Sequence, residues 1–292
     1  MRLLVTGCYG QLGRAVRQLS EERGWTSDCD FFDIDSFDIS NAESYAQINW
    51  DAYDAVINCG AYTAVDKAET PEGRITCWRA NATAPALLSR VCIKYGLTLV
   101  HISSDYVFDG SRSLHFEDEP FSPLSVYGQT KAAGDLAVAC CPSHYILRSS
   151  WVIGDGKNFV KTMCQLSDRV SSGELPSVTV VDDQIGCLTF TDQMALGIFH
   201  VLESNAPYGT YNLTGSGQAK SWASIARMCF AAKNGNEDKV IPVSTHEYYA
   251  KATCPIAPRP VHSALDLTKL ADTGFVPRNW EQELADYLAD LA

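Results

Sequence analysis

Leu3-Leu4-Val5-Thr6 runs directly into Gly7-Cys8-Tyr9-Gly10-Gln11-Leu12-Gly13, and an amphipathic stretch follows to residue 23. An apolar strand, a glycine turn and a helix in immediate succession are compatible with few folds. One glycine takes the tight turn, a second lets the backbone approach a ligand, and a third lets the helix pack on the strand. The helix opening there carries unpaired N–H groups and the positive end of its dipole, which suits a phosphate. Gly7, Gly10, Gln11, Leu12 and Gly13 therefore read as a pyrophosphate cradle for a dinucleotide. Asp33 ends the next apolar run, 20 residues after Gly13. A carboxylate there can accept hydrogen bonds from the adenosine ribose hydroxyls. It repels a 2′-phosphate, and no Arg or Lys follows through Ser40, so the pattern leans toward NADH and leaves NADPH open. With Asp35 and Asp38 close by, a solvated loop acid is the alternative reading of Asp33.

The rest of the first half repeats that rhythm. Strands are predicted over 3–6, 29–33, 55–59, 97–103 and 145–148, with helices over 11–23, 42–49, 75–95 and 126–139. Several strands are apolar throughout, as strands buried on both faces are. The alternation implies an α/β fold, a Rossmann-like doubly wound parallel sheet. Beyond Trp151 the spacing loosens: helix 159–170, strand 177–181, helix 192–204, strand 209–213, helix 222–233, a proline-marked stretch 254–260 and two closing helical segments. Residues 1–150 are expected to form the dinucleotide-binding domain. Residues 151–292 are expected to form mainly a smaller substrate-binding portion, with a possible return of the chain to the first domain.

Composition narrows the partners. A net charge of −12 and a pI near 4.9 argue against nucleic acid, which is bound through clustered Lys and Arg. Apolar runs fall short of a membrane span, and the first strand starts beside Met1, leaving no room for a signal peptide. The eleven cysteines are odd in number and lack any C-x-x-C pair, so reduced structural thiols in a cytoplasmic protein are expected. The six histidines show no ligand spacing, and no metal site is predicted. His101 reads as a satisfied core histidine, Asn81 as a buried structural residue, and Trp222 and Trp280 as packing anchors.

Tyr127-Gly128-Gln129-Thr130-Lys131 places a phenol and an ammonium at i and i+4, on one helical face. The ammonium is expected to lower the tyrosine pKa and make the phenol a proton donor and acceptor near neutrality. Upstream, the strand Leu99-Val100-His101-Ile102 ends in Ser103 and Ser104, where open α/β sheets place ligands. A surface tyrosine beside a solvated lysine is the alternative.

The glycine turn, Ser103-Ser104-Asp105-Tyr106-Val107-Phe108 and Tyr127–Lys131 resemble the extended short-chain dehydrogenases/reductases. Asn58-Cys59-Gly60-Ala61-Tyr62-Thr63-Ala64-Val65-Asp66-Lys67-Ala68-Glu69 resembles the equivalent block of the dTDP-4-dehydrorhamnose reductases. So do Arg148-Ser149-Ser150-Trp151-Val152, Asn158-Phe159-Val160-Lys161-Thr162-Met163, Asp183-Gln184-Ile185-Gly186 and Arg259-Pro260-Val261-His262-Ser263. The likeness runs from Leu3 to about Leu288. It implies reduction of the C4 ketone of a nucleotide sugar, with Tyr127 donating the proton and Lys131 binding the nicotinamide ribose. Ser104 would hydrogen-bond the carbonyl, where many relatives carry Thr. Asp105 and Trp151 would contact the deoxysugar, and Arg259 the nucleotide pyrophosphate. Ala61, Tyr62 and Thr63 would line the cofactor, with Asp38 and Ile39 near the adenine. Ala264 stands where relatives often place Arg, which weakens one diphosphate contact. Ala15 stands where some bacterial relatives carry an acid for a magnesium-bridged dimer, so a monomer is expected over a metal-bridged dimer. Another nucleotide-sugar reductase or epimerase, and a non-catalytic nucleotide-binding subunit, are the competing readings; the intact Ser104, Tyr127 and Lys131 weigh against the last.

Overall fold

A computed structural model describes residues 1–291. Along the first half run β1 (Leu3–Thr6), α1 (Gln11–Glu22), β2 (Cys29–Phe32), β3 (Ala55–Asn58), α2 (Pro71–Trp78), α3 (Ala84–Tyr95), β4 (Thr98–Ser104), α4 (Val126–Ala139) and β5 (His144–Ser149). The second half contains β6 (Val152–Ile153), α5 (Phe159–Ser171), β7 (Val178–Val181), β8 (Ile185–Gly186), β9 (Thr189–Phe190), α6 (Thr191–Glu203) and β10 (Gly209–Asn212). It closes with β11 (Lys220–Ser221), α7 (Trp222–Asn234), β12 (Val240–Val243), α8 (Thr245–Tyr249), α9 (Thr268–Ala271) and α10 (Trp280–Asp290).

Six strands form one parallel sheet in the order β10-β5-β4-β3-β1-β2, the doubly wound arrangement expected. Successive side chains go to opposite faces, and both faces are covered. Val5, Ile57, Val100 and Leu147 pack under α1 and α6, while Leu4, Val56, Leu99 and Ile146 pack under α3 and α4. That double burial is why these strands are apolar in sequence without alternation. A second core, built from α5, α7 and α10, holds Val160, Cys164, Ile225, Cys229, Phe230, Trp280 and Leu284. The last strand of the main sheet, β10, comes from the second half: Thr210 pairs with Ile146 and Tyr211 with Leu147.

Three local expectations are corrected. The 42–49 helix is a 3₁₀ helix, Ala42–Gln47, with i→i+3 bonds from the Ser44 amide to the Asn41 carbonyl and from the Ile48 amide to the Tyr45 carbonyl, and the Trp50 indole N–H also donates to Tyr45 at 2.9 Å where it ends. The 75–95 helix begins at Pro71, capped by Thr70, and is interrupted by a π turn at Arg79–Thr83. Pro85 has no N–H for the Asn81 carbonyl four residues back, and the ladder widens there. β12, which pairs in parallel with β7, and α8 lie where no element was expected.

Candidate active site

The β1–α1 turn and the loop after β3 meet where the winding of the sheet reverses, the place open α/β sheets bind ligands. Gly7 has φ +68°, and a Cβ there would stand 2.6 Å from the Gly60 nitrogen. A Cβ at Gly13 would lie 2.1 Å from the Gly7 carbonyl, so that glycine serves helix–turn packing. Gly10 is the N-cap of α1 with an extended backbone; no side chain caps it and the first turn holds no acid among the described residues. The orphan N–H groups of that turn fit a pyrophosphate.

Two cavities meet over this turn, sharing Gly10, Cys59 and Ala61. The first, about 470 Å³, is lined by Gly7, Asp33, Phe37, Asp38, Ile39 and Gly60. Asp33 is fixed by the Tyr9 amide at 2.8 Å and the Ile34 amide at 2.9 Å. Asp38 accepts from the Ser40 amide and hydroxyl at 2.9 and 2.8 Å. The same cavity is lined by Arg79, on the π turn. Sequence reasoning looked for a cation only in the residues following Asp33 and missed it.

The second cavity, about 460 Å³, gathers Gln11, Leu12, Thr63, Ser104, Asp105, Tyr127, Lys131 and Trp151. Gly13 and Tyr62 are the exceptions among the expected cofactor neighbours, lining neither cavity. The Tyr62 side chain packs against the buried cluster of Ala68, Cys77, Val126 and Tyr127, and Asn81 clamps its backbone, accepting from the Tyr62 amide at 2.8 Å and donating to its carbonyl at 3.0 Å.

α4 starts at Ser125, which caps the Gly128 amide at 3.1 Å. Tyr127 and Lys131 both point into the cavity, with Lys131 only 2% exposed. A Cβ at Gly128 would lie 2.2 Å from the Tyr106 carbonyl, so its absence lets α4 sit against the end of β4. There the Ser104 hydroxyl donates to Asp105 Oδ1 at 2.9 Å and accepts from the Tyr106 amide at 3.2 Å, lining the same cavity as Tyr127. Burial pushes the Asp105 carboxyl up to about 6, against the pull of Ser263 and Ser104.

One electrostatic expectation is corrected. Burial raises the Tyr127 pKa, opposed by the Ser104 hydrogen bond. The Lys131 ammonium donates instead to the Ile102 carbonyl at 2.6 Å, and burial brings its own pKa down to about 8 against the attraction of Asp135. Asp135, one turn beyond Lys131, is buried and accepts from Arg148 Nε at 3.0 Å. The i+4 acid behind Lys131 was its signal in sequence.

Arg259 does not line either cavity. It pairs with Asp66 at 2.8 Å, donates to the Ala257 carbonyl at 2.8 Å and lies 5.2 Å from the centre of the Tyr249 ring. Trp151 does line the second cavity, and Trp222, read from sequence as a packing anchor, lines it too.

A glycine-cradled helix N-terminus beside a Ser–Tyr–Lys cluster on a doubly wound sheet defines a dinucleotide-dependent reductase of the extended short-chain dehydrogenase/reductase type. The chain belongs to the family described as "RmlD substrate binding domain", whose model matches residues 1–292. A dTDP-4-dehydrorhamnose reductase of Sinorhizobium fredii is 35% identical over 97% of this chain and 95% of its own length. The crystal structure of a dTDP-4-dehydrorhamnose reductase from Clostridium acetobutylicum superposes with a TM-score of 0.88 at 34% identity, covering 100% of this chain and 99% of that one. The Bacillus anthracis enzyme of that name, solved in complex with NADP, gives 0.87 at 31% identity, with the same two coverages.

Proposed function

We propose that this chain is a cytoplasmic NADH- or NADPH-dependent reductase that converts the C4 ketone of dTDP-4-dehydrorhamnose to the alcohol of dTDP-L-rhamnose. The observation that carries this reading is the convergence of Ser104, Tyr127 and Lys131 in a cavity continuous with the uncapped start of α1. The bound dinucleotide supplies a hydride. Tyr127, kept neutral by burial, holds a proton at Oη to give to the carbonyl oxygen as charge develops there. Ser104, turning its one proton from Asp105 to the same oxygen, steadies it. Lys131, one turn along α4 in the same cavity and charged below about pH 8, would bind the nicotinamide ribose. Asp105 and Trp151 orient the sugar, and Arg259 reaches the diphosphate by exchanging Asp66 for it. Asp33 receives the ribose of NADH, while Arg79 offers the cation a 2′-phosphate needs.

The direct test follows nicotinamide oxidation with dTDP-4-dehydrorhamnose generated in situ, beside other 4-keto nucleotide sugars. Fastest turnover is expected with the dTDP-6-deoxy ketone. Faster turnover of another sugar would reassign the substrate, and no turnover of any would favour a non-catalytic subunit. We also propose a monomer, since Ala15 puts a methyl where a magnesium bridge needs an oxygen donor. Light scattering should give the same mass with magnesium and with EDTA; dissociation on chelation would overturn that.

A further inference from the structure

Trp151 has φ +49°, in the left-handed region that a bulky side chain rarely occupies. Such backbone persists only where surrounding contacts over-determine it, and it concentrates at functional sites. Two contacts hold it here. The Trp151 indole lies against the bare Cα of Gly186, where a Cβ would stand 2.9 Å from Trp151 Cε2 and 3.0 Å from Cζ2. On Trp151, Trp222 stacks with ring centroids 3.7 Å apart and an interplanar angle of 17°.

The fold brings these residues together from separate segments. β8 pairs antiparallel with β11, Gly186 opposite Lys220 and Ser221 opposite Ile185. The chain turns from β11 straight into α7, whose first residue is Trp222. Ser221, the N-cap of α7, is tied to Asp182 at 2.5 Å and caps the Ser224 amide at 3.1 Å. Phe159 braces the outer side of Trp222 at 4.4 Å. Both indoles line the cavity that holds Tyr127 and Ser104, with Val152 and Met194 beside them.

We infer that Gly186 and Trp222 are positioning residues for Trp151, and that the stacked indoles form an apolar wall selecting a sugar with a deoxygenated edge. This rests on the nucleotide-sugar reading proposed above. An apolar wall accepts a methyl group without cost, whereas a hydroxyl pressed against it loses water and gains no partner. The wall recognises the sugar alone; the diphosphate and base lie beyond it, so its loss is selective.

Calorimetry with the whole chain, comparing dTDP-L-rhamnose with dTDP, separates these contributions. Trp222→Ala should weaken dTDP-L-rhamnose at least about tenfold, the scale of lost apolar complementarity, and leave dTDP and NADH within about twofold. Gly186→Ala, whose Cβ drives the Trp151 ring away, should give the same selective loss, and Trp222→Phe, which keeps a stacked ring, should recover most of the binding. Equal weakening of dTDP-L-rhamnose and dTDP, or no weakening of either, would overturn the inference. A wild-type chain that binds dTDP-L-rhamnose no better than dTDP would instead remove the nucleotide-sugar reading beneath it.

Discussion

Burial keeps Tyr127 protonated, and its part in the proposed reduction can be tested by removing one hydroxyl. Tyr127→Phe keeps the ring that packs against Tyr106 at 5.3 Å, so the fold and dinucleotide binding should survive. Turnover should fall at least about 100-fold, the lower end for general-acid catalysis, and activity within a few-fold of wild type would disprove the assignment. Arg79 bears on the cofactor in the same way. Arg79 lines the same cavity as Asp33, so both dinucleotides should be accepted, and Arg79→Ala should raise the KM for NADPH about three- to tenfold while sparing NADH. Unchanged NADPH kinetics would show that the cation lies elsewhere. These residues differ in how readable they were. Tyr127 and Lys131 are four positions apart, and helical period alone puts them together. Arg79 meets Asp33, and Trp222 meets Trp151, across long stretches of chain that only the folded sheet closes. Tyr62 is less readable, since its neighbours Ala61 and Thr63 line the cavity while Asn81, 19 residues on, holds its backbone.

At the scale of elements, α4 is held by what its glycines lack. A Cβ at Gly134 would come within 2.3 Å of the Asn81 carbonyl, the one that Pro85 leaves without its helical donor. The π turn and α4 therefore fit only face to face. Gly134→Ala should cost about 1–3 kcal/mol, typical of overpacking, read as a melting temperature several degrees lower. An unchanged melt would mean that the two helices have slack between them. Strand and helix positions in the first half were legible because full burial leaves continuous apolar runs, as at β1 and β3. The 3₁₀ segment at Ala42–Gln47 is a matter of hydrogen-bond spacing and the π turn one of Pro85, six residues after Arg79, effects that apolar periodicity does not register. β12 was missed because Ile241 and Pro242 are exposed, so no fully buried apolar run marks it.

Across the whole molecule, one carboxylate sets a dependence on pH away from the reaction. Glu283 on α10 is 4% exposed, and neither carboxylate oxygen has a hydrogen-bond partner among the described residues. Burial, with Asp192 and Asp286 adding repulsion against a modest pull from Arg278, raises its pKa from 4.5 to about 7. Its contribution to stability is complete below pH 4.5, where both states hold the proton. It is lost as pH rises toward 7, because the unfolded chain releases the proton first; linkage puts the loss at up to about 3 kcal/mol. Glu283→Gln should flatten that slope, matching wild type near pH 4.5 and melting higher at pH 8, and an unaltered slope would assign it to another group. The parallel pairing of β10 with β5 bears on how the chain is assembled in time. During synthesis the five strands of the first half emerge with β5 as a bare edge, its N–H and C=O groups open to any passing strand. The sheet closes only after residues 209–212 leave the ribosome, so a nascent or truncated chain ending near 150 is an aggregation hazard.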